Sequence, residues 1–331
     1  MLPGPAHPRR HSLLDGIDLA RDIGLEVGPL GSPAIPRAGT RVLYADHTDA
    51  ASLRAKYAGH PGFDTARIVD VDVIWADAAL ADCLPPGLVL DYVFAAHVIE
   101  HVADPIGWLG EIAAVLRPGG RVCLAIPDKR FTFDYLRQTT RLGDWVAAHL
   151  RGDRRPAAAA IFDHHINAVM VDEVAAWAGP LDPATLPHFA TTEHALASCR
   201  AAMAGDYIDV HCSVVTPRAL LELLAGVARA GLLAFRCAAF HETVPCAVEM
   251  LLVLERLPDG ADPALAEAGF LAELARLEAS ETPADPRLAA LEQELRALRA
   301  STSWRITAPL RRLAAGVFAP RPGKKIGTTV A

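Results

Sequence analysis

Along the first 127 residues, short runs of β-branched and apolar residues alternate with polar stretches rich in Gly, Pro and Asp. Residues 23–28 (IGLEVG), 41–46 (RVLYAD), 67–75 (RIVDVDVIW), 90–96 (LDYVFAA) and 121–127 (RVCLAIP) predict strands, each ending in Gly, Asp, His or Pro. Between the last two, residues 104–117 (DPIGWLGEIAAVLR) predict a helix. Asp104 stands at its N-cap, Pro105 opens its first turn, Ile106, Leu109, Ile112, Ala113 and Leu116 recur at helical spacing, and Pro-Gly-Gly stops it. That is a βαβ unit, and its repetition predicts an α/β fold with a Rossmann-like, mostly parallel, doubly wound sheet.

From residue 128 to about 210 the texture changes. Helical patches at 140–150, 171–178 and 191–203 are separated by Pro156, Pro180, Pro183 and Pro187 and by an Asp-His-His triplet. This segment reads as a helical insertion over the sheet's carboxyl edge. The α/β pattern then resumes with a strongly apolar helix from Thr216-Pro217 to about Ala230 and two strands at 232–240 and 247–254, a closing hairpin that brings the expected count to seven strands. Residues 1–256 thus form one domain, and 257–331 a helical, basic C-terminal tail. In the tail Leu288, Leu291, Leu295 and Leu298 follow a 3-4-3 spacing, with Glu292 and Arg296 as an i,i+4 pair.

Composition narrows the class. Hydrophobic residues are 52% of the 331, yet the most apolar stretch, 219–235, is broken by Glu222 and Arg229, well short of the roughly 18 uninterrupted apolar residues of a membrane span. The first 16 residues have two arginines but no apolar core of a signal peptide, so a cytoplasmic protein is expected. Six cysteines without a CxxC pair argue against a zinc ribbon, a redox motif or a disulfide framework. No HExxH, His-Asp metal cluster or P-loop is present, and no metal is expected. The net charge of −7 is a sum of unlike parts: after Glu294 come eight basic residues and no acid, so the rest carries −15. An acidic body excludes nucleic acid as a partner of the whole surface and leaves the tail to meet an anionic partner or a membrane.

In open parallel sheets ligands lie beyond the carboxyl ends of the strands. Here those ends offer Glu26 and Gly28, Asp46, Asp77, His97, Glu100 and His101, then Asp128. A dinucleotide fingerprint would place a second glycine where Leu30 stands. Glu-x-Gly instead suits a cofactor with an ammonium group, and Asp46 suits the two hydroxyls of a ribose. A buried unpaired carboxylate is costly, which favours a ligand role for Glu26. Asp46 could equally cap a helix at 49–57, and Asp77 could be a turn residue.

Residues 91–105 (DYVFAAHVIEHVADP), with WLGE at 108–111 and LRPGGR at 116–121, resemble the central signature of class I S-adenosylmethionine-dependent methyltransferases of the UbiE-like kind. LEVGPLGSP, YADH, IPDKRFTFD and DVHCSVVTP are similar to a narrower bacterial group associated with cell-surface glycan genes, and residues 301–311 resemble a segment at the ends of bacterial glycosyltransferases. The resemblance implies S-adenosylmethionine as cofactor, held by Glu26 and Gly28 at its methionine end, Asp46 at the ribose, Asp77 at the adenine, and Ala96 and His97 beneath the sulfonium. One departure is visible: the stretch between Gly28 and Arg41 is too rich in Pro and Gly for the helix usual there. The implied reaction is O-methylation of a glycan or glycolipid precursor in polysaccharide biosynthesis. A hydroxyl acceptor needs a base, for which His101 and His211 stand first, with His164, His165 and Asp128 behind them. Asp128, Lys129 and Arg130 leave the fifth strand where they could bind an anionic acceptor or merely bridge into Asp134. The tail implies contact with the inner face of a membrane or with a glycosyltransferase. A non-catalytic scaffold tethering glycan enzymes is the rival reading, kept open by the missing helix.

Overall fold

A computed structural model describes residues 10–59 and 64–281. In chain order the elements are β1 (Ile23–Val27), β2 (Arg41–Asp46), α1 (Ala50–Tyr57), β3 (Val73–Ile74), α2 (Leu80–Cys83), β4 (Leu90–Ala96), α3 (Pro105–Val115), β5 (Leu116–Pro127), α4 (Leu142–Arg151), α5 (Ala158–Asn167), α6 (Glu173–Ala178), α7 (Thr192–Met203), α8 (Pro217–Arg229), β6 (Phe235–His241), β7 (Glu249–Arg256) and α9 (Pro263–Glu281). They form one seven-stranded sheet in the order β3-β2-β1-β4-β5-β7-β6. Pairing is parallel from β3 to β5, while β7 runs antiparallel to both β5 and β6. The order reverses between β1 and β4, and the ends of these two strands frame the topological switch point where such sheets bind ligands.

The expected third strand is mostly absent. Residues 67–71 form no ladder with β2; the Asp72 amide still donates to the Tyr44 carbonyl at 2.8 Å, but the Tyr44 amide is taken by the Asp72 carboxylate at 2.8 Å, and Asp72 is itself held by Arg37. A side chain takes a position the ladder would otherwise occupy, and only two residues remain as β3. The sequence also gave no sign of α5, whose first turn has no side-chain cap and which packs through Ile161 and against α7. The insertion expected at 128–210 is α4 to α7, lying between β5 and α8. In α8, Thr216 accepts the Ala219 amide, Pro217 opens the first turn, and Leu220, Leu221, Leu224 and Val227 are buried.

No helix follows β1. Residues 28–40 form an irregular loop that drops Ile35 into a core cluster with Leu13, Tyr44, Tyr92 and Phe94. Glu26 holds that loop: its carboxylate accepts the amides of Ala34 at 2.6 Å and Ile35 at 2.9 Å, and the Tyr44 hydroxyl donates to the Ile35 carbonyl. The buried acid is therefore explained by two backbone donors. Glu26→Ala is expected to lose about 2–4 kcal/mol, since two buried N–H groups lose an ionised acceptor. Chemical denaturation checks this, and limited proteolysis should open residues 29–40 first; an unchanged midpoint would contradict the assignment.

The chain divides into two compact units, Met1–Arg276 and Leu277–Ala331. The first holds the whole sheet; of the second, only the last turns of α9 are described. The leucine spacing at 288–298 and the segment at 301–311 lie outside the described residues. No helix among the described residues is long and apolar enough to cross a membrane.

Candidate functional site

A cavity of about 650 Å³ opens at the carboxyl ends of β1 to β4. Its size falls within the roughly 300–1,000 Å³ typical of small-molecule sites. Val27 and Gly28 enter from β1, Asp46 and His47 from β2, Trp75, Ala76 and Asp77 from the end of β3, and His97, Val98 and His101 from the end of β4. Asp104, Trp108, Glu111, Lys56, His149, Arg154, Arg155, Tyr207 and Asp209 complete much of the wall. Six carboxylates and three Lys or Arg side chains line it, so the cavity favours a cationic ligand.

Both corners of the switch point are left-handed. Gly28 has φ +68°, and a Cβ there would lie 3.0 Å from a methyl of Val98. His97 has φ +54°, a strained value for a non-glycine residue, and it is fixed by its Nε2 at 2.8 Å from Glu249. The two turns keep backbone rather than side chain at the mouth, which suits close approach of a cofactor. Asp46 is buried, and its Oδ1 accepts the His47 amide at 2.8 Å. Trp75 stacks on Trp108 at 5.6 Å and donates its indole N–H to Glu111, which also accepts the Leu80 amide. Asp77 is exposed on the wall, with Arg155 at 3.8 Å. The residues present thus fit S-adenosylmethionine: a glycine corner, an acid at the end of β2, an aromatic pair and an excess of negative charge for a sulfonium.

Two of the expected cofactor residues stand apart. Glu26 is absent from the wall and serves the loop. Ala96 packs against the core cluster rather than lining the cavity.

The histidines divide similarly. His101 lies on the wall, one-third exposed, with Nδ1 at 2.9 Å from Asp209. Burial alone would lower its pKa, but the Asp209 hydrogen bond and the charges of Glu100, Asp209 and Asp134 outweigh that and raise it. Asp209 is correspondingly lowered: burial would raise it, and the bond to His101 and the charges of His101 and Lys56 prevail. His211 is buried behind His101, ring centroids 4.6 Å apart, with Nδ1 at 2.6 Å from Asp134. Asp134 also accepts from Arg137, and although burial opposes it, the His211 and Arg137 charges draw its pKa down to about 2.

His164 and His165 are on α5 and do not line the cavity. His164 packs edge-on against Phe133, and burial, then the charges of Arg137 and His211, push its pKa down to about 3. The unfolded chain protonates this residue below about pH 6.5 but the native chain only near 3, so stability is lost as pH falls through that interval. His164→Gln is expected to flatten this loss by on the order of 2 kcal/mol at pH 4.5. Urea melts at pH 7 and 4.5 check it; parallel losses in both proteins would contradict it.

The expected anion site lies away from the cavity. Asp128 is fully buried, paired twice with Arg130 and accepting the Thr243 hydroxyl, while Lys129 donates to the Tyr135 carbonyl. None of the three lines the cavity. The basic groups that do are Lys56, Arg154 and Arg155, of which the adjacent arginines before Pro156 were the available sequence signal. Asp209, Tyr207 and His149 were missed because nothing in their local spacing marks them.

A family model described as a methyltransferase domain matches residues 44–227. Among curated proteins, the ubiquinone biosynthesis O-methyltransferase of Parvibaculum lavamentivorans is 34% identical over 104 residues, 31% of this chain; the match spans 38% of that enzyme's length. Solved structures similar to it include the CcbJ methyltransferase of Streptomyces caelestis, at 15% identity and TM-score 0.39 over 76% of this chain and 97% of that one. Human N-acetylserotonin methyltransferase, solved in complex with SAM, gives 14% identity and TM-score 0.34 over 76% of this chain and 52% of that one. The family match extends over more than half of the chain and takes in Asp46, Asp77 and the whole turn after β4, and the chain belongs to the class I S-adenosylmethionine-dependent methyltransferases.

Proposed function

We propose that this protein is an O-methyltransferase whose acceptor is a hydroxyl of a glycan or glycolipid precursor. The observation that carries the reading is the pairing of His101 with Asp209 on the wall of the same cavity that Gly28, Asp46 and Asp77 line. The cavity that suits a cationic cofactor also presents an imidazole held by a carboxylate, the arrangement a hydroxyl acceptor needs.

The cofactor supplies an electrophilic methyl group on a sulfonium. Gly28, Asp46 and Asp77 would hold it, and the acid-rich wall favours its positive charge over the neutral thioether left after transfer. The acceptor oxygen gives its proton to the histidine cluster through His101, its member on the cavity wall, and then forms the new bond to carbon. Asp209 fixes the His101 ring and stabilises its charged form, while Asp134 holds the His211 ring in place. Most of the rate comes from alignment of the two reactants in one enclosed site.

Support for a glycan acceptor comes from the sequence: YADH and DVHCSVVTP, two of the segments similar to glycan-associated methyltransferases, contribute Asp46, His47, Asp209 and His211 to this site. The scaffold alternative rested on the missing helix after β1, and the loop tied by Glu26 fills that place. Contact of the tail with a membrane or a glycosyltransferase remains part of the proposal. Incubation with S-adenosylmethionine and a panel of nucleotide sugars and lipid-linked oligosaccharides, read by mass spectrometry, should show one methyl group added to a sugar. Methylation confined to phenolic acceptors would refute the glycan assignment.

A further inference from the structure

We propose that Glu100, His101 and His211 form a binding site for a divalent transition-metal ion of the zinc type. Each residue offers one ligand atom, and the three atoms lie within 4.8 Å of one another. No short metal-binding motif is present in the sequence, which by itself leads one to expect no metal. The fold supplies the ligands from two segments more than 100 residues apart: the amides of Cys212 and Ser213 both donate to the Glu100 carbonyl, at 2.6 and 3.0 Å, and pin His211 against the turn Ile99–His101.

The independent observation is the state of Glu100. Its side chain is 1% exposed, yet neither carboxylate oxygen has a hydrogen-bond partner. The contacts that Oε1 does make are to ring nitrogens beyond hydrogen-bond distance, His97 Nδ1 at 3.6 Å and His211 Nε2 at 4.0 Å. An ionised carboxylate left this way costs several kcal/mol in a protein interior, and a cation would offset that cost. The histidines are prepared for the same partner. His101 and His211 each engage Nδ1 with a carboxylate, Asp209 and Asp134, which leaves Nε2 as the atom to ligate. A metal-bound histidine almost always has such a second bond, which fixes the ring and strengthens it as a ligand. Two imidazoles and one carboxylate suit zinc, cobalt or iron(II); magnesium and calcium prefer all-oxygen sites. Bonds of about 2.1 Å require ligand atoms roughly 3–3.5 Å apart, so loading the site needs a small contraction.

This inference deepens the proposed methyl transfer and rests on it for its role. An ion here would lower the pKa of an acceptor hydroxyl that ligates it, the proton passing to solvent at the open side of the cavity; His101 would then be a ligand, and it serves as the base in the metal-free protein. Binding itself is testable without turnover. Chelator-stripped protein should be titrated with Zn²⁺ by calorimetry and with Co²⁺ by visible absorption, each time with S-adenosylmethionine binding measured on the same sample. The expected result is one ion per chain, with a ligand-field band for cobalt. Glu100→Gln should remove it, and Asp209→Asn, at a half-exposed position that spares the core, should weaken it about 10–100-fold. Absence of saturable binding overturns the site, as does binding that survives both substitutions. If S-adenosylmethionine still binds in those cases, the metal site fails and the methyltransferase reading stands.

Discussion

His101→Ala is expected to lower methyl transfer by roughly 10²–10⁴-fold while leaving affinity for S-adenosylmethionine unchanged. The asymmetry follows from position. His101 follows β4, whereas Gly28, Asp46 and Asp77 come from β1, β2 and the end of β3. Its side chain is one-third exposed, so truncation leaves no large void in the core. What is lost is an imidazole whose pKa Asp209 and the surrounding carboxylates raise. Asp209→Asn should cost less, because the ring remains and only its orientation and charge stabilisation weaken. Single-turnover measurements at saturating cofactor separate chemistry from binding. A His101→Ala protein with normal turnover would move the acceptor chemistry elsewhere in the cavity.

The second large effect is expected at the mouth of the switch point. Gly28→Val should weaken S-adenosylmethionine binding by at least about tenfold, since left-handed backbone disfavours a β-branched residue by 1–2 kcal/mol and the new Cβ would press on Val98. The chain can relieve this only by moving the turn that carries the cofactor. Gly39→Val is the control: Gly39 is also left-handed, at φ +78°, but a Cβ there meets nothing within 4 Å. It should lose stability alone. Equal cofactor affinity in both variants, measured by calorimetry, would remove Gly28 from the site.

Much of the fold could be read from the sequence because its signals are local. The runs at 41–46 and 90–96 became β2 and β4 without change, and the Asp104 cap and Pro105 opened α3 as expected. Where a side chain competed with the ladder, as Asp72 does, the apolar run at 67–75 misled. Of the residues that the strand ends single out, Gly28, Asp46, Asp77, His97 and His101 line the cavity. Strand-end position does not reveal charges whose partners lie far along the chain. Glu26, a buried acid that needs compensation, accepts two amides of the next loop. Asp128 and Arg130 neutralise each other, with Thr243 completing the set. The pairs His101–Asp209 and His211–Asp134 join residues 108 and 77 positions apart, a separation no motif encodes. The same separation hid the grouping of Glu100 with His211.

The central claim is that this cavity binds S-adenosylmethionine through the carboxyl ends of β1 to β3. Calorimetric titration of the purified protein with S-adenosylmethionine tests it most directly. Saturable binding to one site per chain is expected, weakened strongly by Asp46→Ala. No binding, or equal affinity in the wild type and Asp46→Ala, would contradict it.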